Sequence, residues 1–84
     1  MTREELIIQL QPIIQDIFNS PGLIIEDSLN AGNLDAWTSL SFMQLLTAIE
    51  TKYNFKFRIM EIPMLDNMGQ IIEATLRHLS DSHV

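Results

Sequence analysis

The sequence contains no cysteine and only three glycines. The absence of cysteine excludes a disulfide framework, a thiolate nucleophile and a cysteine-based metal site. Gly22, Gly32 and Gly69 stand far apart, so the chain has no glycine-rich loop of the kind that binds phosphate groups. A small domain without disulfides is expected to work in a reducing compartment, and we expect a cytoplasmic protein.

Basic residues and long apolar runs are also scarce. The formal net charge is −6, and between Arg3 and Lys52 there is no lysine or arginine. An acidic chain without a basic patch repels phosphate backbones, so we expect no binding to nucleic acid. No apolar run exceeds three residues. Runs of this length are far too short to cross a membrane, so we expect no membrane segment. The first residues, "MTREELIIQLQ", carry acids and lack a basic start followed by an apolar stretch, so we expect no signal peptide.

The residues that are present predict one small helical domain spanning residues 1–84. A chain of 84 residues with 46% hydrophobic and 19% charged residues is typical of a single folded core. Apolar residues at helical spacing predict a first helix over 3–19, with Thr2 and Glu5 as a capping box at its start. Pro12 is expected to bend this helix. Helix-breaking residues follow, and a long connection over 20–38 is predicted to fold against the core.

The second half of the chain predicts two more helices and a short one between them. The second helix is expected from Ser39 to Tyr53, with a buried stripe formed by Leu40, Met43, Leu46 and Ile49 and widened by Leu45 and Tyr53. Asn54 is suited to the left-handed conformation that ends a helix. The alternating "FKF" segment has no predicted partner strand, so we expect an extended connection into a short helical turn near 60–65.

The last helix is expected to begin at Asp66 or Asn67 as the capping residue. Its predicted buried stripe contains Met68, Ile71, Ile72, Thr75, Leu76 and Leu79. The tail over 80–84 is expected to be frayed. The predicted fold class is all-α: a small monomeric bundle of three main helices and one short helix, with a long first loop.

Few residues are candidates for catalysis or for metal binding. His78 and His83 are five residues apart, a spacing that suits no shared metal on one helical face, so both are expected at the surface. A Ser-His-Asp triad requires a preorganised pocket, which a bundle of this size does not offer. We therefore expect no catalytic residue, no metal site and no enzymatic activity.

Two serines in the stretch "EDSLNAGNLDAWTSLSF" precede a leucine. Ser28 is followed by turn-forming residues, so we expect it to lie in a turn and to bond its own backbone. Ser39 opens a strongly periodic helix, where free amide groups and the positive end of the helix dipole suit a phosphate attached to the hydroxyl. The alternative is that Ser39 or Thr38 only caps the helix.

The stretch "LDAWTSLSFMQLLTAIETKYNFKF" resembles the central motif of acyl carrier proteins and related carrier domains. In that family a serine followed by leucine opens the second helix, and here Ser39 and Leu40 hold those positions. Spaced apolar residues, a glutamate and an aromatic turn follow; these are Met43, Leu46, Ile49, Glu50 and Tyr53, before "FKF". Upstream, Asp27-Ser28-Leu29 with "NAGNLDAW" resembles the family's approach to the serine, and "LDNMGQIIEATL" resembles the start of its last helix.

The resemblance implies a discrete carrier for a specialised polyketide, lipid or related pathway. A phosphopantetheinyl transferase, holding the magnesium, would transfer 4′-phosphopantetheine from coenzyme A to Ser39. The arm's thiol would hold acyl groups as thioesters, which agrees with the missing cysteines. The implied partners are this transferase, an acyl-loading ligase or acyltransferase, and a ketosynthase or another acyl-using enzyme.

Two departures from the family pattern concern partner binding. The residue before the serine is usually aspartate and is Thr38 here, which leaves the preferred transferase open. The side of the second helix expected to be exposed, with Ser41, Gln44, Thr47 and Thr51, has Glu50 as its only acid, so steering by charge should be weak. The candidate partner-binding residues are Trp37, Thr38, Leu40, Phe42, Met43, Gln44 and Thr47. For Trp37 and Phe42, partial packing into the core is an equal alternative.

Two other functions remain open from the sequence. One is an unmodified helical adaptor that keeps the carrier fold and binds a protein through Trp37, Phe42 and the second helix. The other is an aminoacyl or peptidyl carrier, which the sequence does not distinguish from an acyl carrier because the loading enzyme selects the cargo.

Overall fold

The computed structural model describes residues 1–81, and it confirms an all-α fold. Helix α1 spans Arg3–Ile17, α2 spans Ser39–Tyr53 and α3 spans Met68–Asp81, with a 3₁₀ turn at Ile62–Met64 between α2 and α3. Residues 1–81 contain no β-strand. The connection near "FKF" therefore forms no sheet within residues 1–81, and the short helical turn follows it as predicted.

Local signals set the helix ends. The Thr2 hydroxyl accepts the amide of Glu5 at 3.1 Å, and the Glu5 carboxylate accepts the amide of Thr2 at 2.7 Å, which confirms the predicted capping box. Helix α1 continues through Pro12 and ends two residues before the predicted boundary. Helix α2 has the predicted bounds, and Asn54 closes it in the left-handed conformation with a φ of 57°.

The start and end of α3 differ slightly from the alternatives left open by the sequence. The side chain of Asn67, rather than Asp66, accepts the amide of Gln70 at 2.9 Å, so Asn67 is the capping residue. Ser80 and Asp81 belong to α3, although a frayed tail was expected from residue 80. The remainder of that expected tail, with His83, lies outside the described residues.

One continuous core lies between the three helices. It contains all the predicted apolar positions of α3, with Leu76 and Leu79 partly buried at its margin. The Thr75 hydroxyl is fully buried and donates to the carbonyl of Ile71 at 2.8 Å, so it does not leave an unsatisfied polar group in the core. The other fully or nearly buried apolar residues are Leu6, Leu10, Ile14, Phe18, Trp37, Leu45, Leu46, Ile49, Phe57, Leu65 and Ala74.

The predicted buried stripe of α2 is wrong at its first two positions. Leu40 is 70% exposed and Met43 is 48% exposed, whereas Ile49 is fully buried. Each step along a helix turns by about 100°, so the nine steps from Leu40 to Ile49 end about half a turn away from the starting side. A repeat of three residues therefore drifts around the helix. The buried side consists of Ser41, Leu45, Leu46 and Ile49.

The long connection between α1 and α2 is packed against α1 and α3. The side chains of Gln11 and Gln15 both donate to the carbonyl of Leu23. Farther along, the carbonyl of Leu29 accepts the amide of Met68 at 2.8 Å, and that of Asp27 accepts the amide of Gly69 at 3.1 Å. The connection is therefore tied to the start of α3.

Gly69 permits this close approach. A Cβ atom at this position would lie 3.0 Å from Cβ and 3.1 Å from Cγ of Asp27. Arg3 reinforces the same contact because its guanidinium pairs with both Asp27 and Glu73. The connection is thus fixed between the start of α1 and the first turns of α3.

Candidate functional site

The end of the connection is fixed by an aromatic stack. The ring of Trp37 lies between Phe18 and Phe42, at centroid distances of 5.7 Å and 6.1 Å, and both pairs are nearly parallel. Trp37 is 8% exposed and Phe42 is half-buried. Of the two alternatives for these aromatics, core packing therefore describes Trp37. Trp37 precedes Ser39 by two residues, so the stack fixes the position of the chain just before this serine.

Thr38 and Ser41 cap α2. The Thr38 hydroxyl accepts the amide of Ser41 at 3.2 Å, and the Ser41 hydroxyl accepts the amide of Thr38 at 2.8 Å. This is the geometry of a capping box, with serine in the place usually held by glutamate or glutamine. Ser41 was expected on the exposed side of α2, and that expectation is wrong, because the residue is only 7% exposed.

Ser39 lies between these two capping residues and takes no part in the cap. It is the first residue of α2 and is exposed. Its hydroxyl forms no hydrogen bond with any residue in the range 1–81, and over the same range the amides of Ser39 and Leu40 have no acceptor. The alternative that Ser39 caps the helix is therefore wrong, whereas capping by Thr38 is confirmed.

Ser28 is also exposed but has a different setting. It lies in a turn, as predicted, whereas the expected bond from its hydroxyl to its own backbone is absent among residues 1–81. Instead, its carbonyl accepts the side-chain amides of Asn30 and Asn33 at 3.2 Å and 2.9 Å. The Asn30 side chain organises the following turn by accepting the amide of Gly32 at 2.7 Å. Ser28 thus lies in a turn and, unlike Ser39, is not itself the first residue of a helix.

Four of the predicted partner-binding residues lie together on the exposed side of α2. Leu40, Met43, Gln44 and Thr47, with Ala48, line a shallow and largely apolar depression of about 370 Å³. Thr38 precedes it at the start of the helix, whereas Trp37 points into the core. We call the surface formed by Leu40, Met43, Gln44, Thr47 and Ala48 the α2 face.

The α2 face has no acidic residue. Glu50 is the only carboxylate in α2; it is half-buried and accepts the amide of Phe57 at 2.8 Å. Its charge is therefore used to hold the segment that follows α2. The surface beside Ser39 can contact a partner mainly through apolar area and neutral polar groups, which favours short-range fit over long-range charge steering.

A second cluster lies where the 3₁₀ turn meets α3. His78 stacks on Phe55 at a centroid distance of 4.5 Å, and its Nε2 atom lies 2.8 Å from the carboxylate of Glu61. The His78 side chain is only 18% exposed, so the expectation of a surface position is wrong. The hydrophobic spacing of α3 gave no sign of this contact, because its partners come from the preceding connection.

The charge of Glu61 is stabilised in this cluster. Partial burial acts to raise the pKa of its carboxyl, but hydrogen bonds from the Arg58 amide and from His78, together with their charges, outweigh it. The pKa of Glu61 is therefore lowered from the ordinary glutamate value. The bond from the Arg58 amide is 2.7 Å long and closes the turn that leads into the 3₁₀ segment.

Within residues 1–81, no group of three histidine, aspartate or glutamate side chains is arranged to hold a metal ion. No helix in this described range has the length and apolar character needed to cross a membrane.

The fold of residues 1–81 is similar to that of a known carrier protein. Its elements are a long first connection, a second helix that begins at Ser39 and a short helical turn before the last helix. The solved solution structure of a holo acyl carrier protein from Geobacter metallireducens matches with a TM-score of 0.83 and 29% sequence identity. The match covers 90% of this chain and 87% of that chain.

The resemblance to the acyl carrier proteins predicted from the sequence is confirmed by this structural match. No family model matches the sequence, and no curated protein matches it.

Proposed function

We propose that the protein is a discrete acyl carrier protein that receives 4′-phosphopantetheine on the hydroxyl of Ser39. The observation that supports this most is that the side chains that cap α2 are different from the one that carries the exposed hydroxyl. Thr38 and Ser41 satisfy the cap between them, and the exposed hydroxyl of Ser39 is left without a partner among the described residues. A hydroxyl engaged in the cap would have to break its hydrogen bonds before it could be esterified.

The residues around Ser39 fit a phosphodiester. In the transfer, the Ser39 oxygen bonds to the pantetheine-bearing phosphorus of coenzyme A, and the bond from that phosphorus to the bridging oxygen breaks. Adenosine 3′,5′-bisphosphate leaves, and the hydroxyl proton passes to a base of the transferase. The amides of Ser39 and Leu40, which have no acceptor within residues 1–81, can donate to the new phosphate oxygens at the positive end of the helix dipole.

The attached group supplies a terminal thiol that holds acyl cargo as a thioester, which the cysteine-free chain does not supply itself. The chain's own contribution is to hold the attachment point on a rigid helix start, next to a packed aromatic stack. We propose a cytoplasmic, monomeric carrier in a specialised polyketide, lipid or related pathway.

The partners we propose are a phosphopantetheinyl transferase, an acyl-loading ligase or acyltransferase, and a ketosynthase or another acyl-using enzyme. They would contact Thr38 and the α2 face, where Leu40 and Met43 offer exposed apolar area. Because this face lacks acids, binding should depend only weakly on ionic strength. Thr38 supplies the cap oxygen without the negative charge that the family's aspartate would add.

The test is incubation of the purified protein with coenzyme A, magnesium and a broad-specificity transferase, followed by mass spectrometry. We expect a mass gain of one phosphopantetheine group, lost in Ser39→Ala and retained in Ser28→Ala. Ser28 is a matched control because it is also exposed and also precedes a leucine. No mass gain, or a gain that survives Ser39→Ala, would contradict the proposal.

The unmodified adaptor is the second candidate, and the exposed apolar side chains on the α2 face are the observation that favours it. It was expected to bind through Trp37, but Trp37 is in the core, so the adaptor would have to use Leu40 and Met43 instead. A wild-type protein that remains unmodified, yet loses a partner when Leu40 is replaced, would favour this function. An aminoacyl or peptidyl carrier would be modified in the same way and would differ only in its loading enzyme.

A further inference from the structure

The hydroxyl of Ser41 lies at the centre of the hydrogen bonds before Ser39. It donates to the carbonyl of Ala36 at 2.6 Å and accepts the amide of Thr38 at 2.8 Å. The Thr38 hydroxyl lies 3.3 Å away and can donate its proton to the same oxygen. In return, the amide of Ser41 donates to the Thr38 hydroxyl at 3.2 Å.

The Ser41 hydroxyl has two carbonyl acceptors within reach, that of Ala36 at 2.6 Å and that of Thr38 at 3.2 Å. Its single proton is assigned to the nearer Ala36 carbonyl, and its oxygen accepts from the amide and the hydroxyl of Thr38. The side chain therefore joins the backbone on both sides of Trp37. Because the Trp37 ring is itself held between Phe18 and Phe42, the chain entering α2 is fixed by packing on one side and by Ser41 on the other.

We infer that Ser41 is a positioning residue for the modification of Ser39, an inference that rests on the proposed function. By holding the amide of Thr38 and the carbonyl of Ala36, it fixes the peptide units before Ser39. The Ser39 hydroxyl then projects into solvent, and the amides of Ser39 and Leu40 stay without an acceptor among residues 1–81. Ser41 does not touch coenzyme A or the reacting atoms; it acts through the orientation of the Ala36–Trp37 and Trp37–Thr38 peptides, which lead into Ser39.

Loss of the Ser41 hydroxyl should make the position of the Ser39 hydroxyl less well defined, without unfolding the protein. In Ser41→Ala, the Thr38 amide and the Ala36 carbonyl lose their shared partner, so the two peptides flanking Trp37 lose a restraint, while the Thr38 carbonyl keeps its bond from the Phe42 amide at 2.9 Å. Small displacements of a reacting group lower the rate of the bound complex strongly. We therefore expect the kcat of the transferase to fall by roughly tenfold or more, with little change in the KM for coenzyme A.

A purely structural role would give a different kinetic pattern. If Ser41→Ala only lowered the folded fraction, less competent carrier would be present, and the apparent KM for the carrier would rise at an unchanged kcat. Ile49→Val is the matched control, because Ile49 is a fully buried residue of the same helix and is remote from the cap. It should weaken the fold without changing kcat.

The experiment measures transfer from coenzyme A to each apo protein at a temperature where circular dichroism shows every variant to be folded. Ser41→Thr, which keeps the hydroxyl, should restore most of the rate. Hydrogen exchange followed by NMR provides a second readout, in which the Thr38 amide should exchange faster in Ser41→Ala than in wild type.

The outcomes separate this inference from the proposed function. If wild type is modified on Ser39 and Ser41→Ala has the same kcat and the same Thr38 exchange rate, the positioning role is refuted while the carrier function stands. If wild type gains no phosphopantetheine, the carrier function itself fails and the positioning role fails with it. A lower kcat with a normal Ile49→Val control and rescue by threonine establishes the role.

Discussion

Replacing Trp37 by alanine should destabilise the protein strongly, whereas replacing Leu40 by alanine should leave its stability almost unchanged. The two residues are three positions apart and both were candidates for partner binding. Trp37 is 8% exposed and stacked between two rings, whereas Leu40 is 70% exposed. The structure thus assigns them opposite roles, the first in the core and the second on the α2 face.

The expected magnitudes differ enough for a clear result. Truncation of a buried tryptophan lowers the free energy of unfolding by about 3–5 kcal/mol. Each aromatic pair contributes about 0.5–1.5 kcal/mol to the free energy of unfolding beyond the burial of its area. An 84-residue domain has a total stability of roughly 4–13 kcal/mol at the usual stability per residue. Trp37→Ala therefore removes a large share of the free energy of unfolding, whereas an exposed substitution such as Leu40→Ala stays within about 0.5 kcal/mol.

The assay is urea denaturation followed by circular dichroism, since Trp37→Ala removes the only tryptophan and with it the natural fluorescent probe. The midpoint should fall sharply for Trp37→Ala at an unchanged slope, and should hardly move for Leu40→Ala. The transferase assay adds the complementary readout: Leu40→Ala should raise the KM for the carrier. A cost below about 1 kcal/mol for Trp37→Ala, or an equal cost for the two variants, would refute the assignment of these residues.

Three further predictions concern the cap, the Glu61 cluster and the connection. Thr38→Ala should lower the free energy of unfolding by about 1 kcal/mol, because the Ser41 amide loses its acceptor; this corresponds to a decrease of about 4–8 °C in Tm. Calorimetry measures this decrease, with Thr47→Ala as the exposed control. An unchanged Tm would argue against the cap. The lowered pKa of Glu61 contributes stability above the ordinary glutamate value of 4.5, and this contribution is lost as the pH falls through the lowered pKa. Stability measured across that acid range should therefore decline less steeply in Glu61→Gln than in wild type, and parallel curves would contradict the role of this carboxylate. Gly69→Ala should destabilise the protein despite alanine's higher helix propensity, since the new Cβ would lie 3.0 Å from the Cβ of Asp27. Gly22→Ala is the control, because a Cβ at that position would have no atom within 4 Å. A gain in Tm for Gly69→Ala would count against the close contact.

The helix ends were predictable from the sequence because they depend on neighbouring residues. The bounds of α2 follow from a capping threonine before Ser39 and from Asn54, which adopts the left-handed conformation. The capping box of α1 and the apolar stripe of α3 likewise depend on residues three or four positions apart, so they can be recognised in the sequence. The position of Ser39 at the first residue of a helix, on which the proposed function depends, is a local property of this kind.

The tertiary structure alone decided which side of α2 enters the core. Both sides of this helix carry apolar residues, with Leu40 and Met43 on one side and Leu45, Leu46 and Ile49 on the other. The sequence contains no rule for choosing between them, because the choice depends on where α1 and α3 lie. The burial of Ser41 follows from the same choice, and a T-x-x-S pattern is the only signal in the sequence that points to its role in the cap.

The His78 contact and the place of Trp37 were decided in the same way. Phe55 and Glu61 come from the connection before α3 and His78 from α3 itself, and Phe18 and Trp37 are brought together only by the folding back of the long connection. The sequence by itself determined where the helices begin and where α2 ends, since caps and breakers act over a few residues. Which side chains are buried, paired or left exposed beside Ser39 was decided by packing between segments distant in sequence.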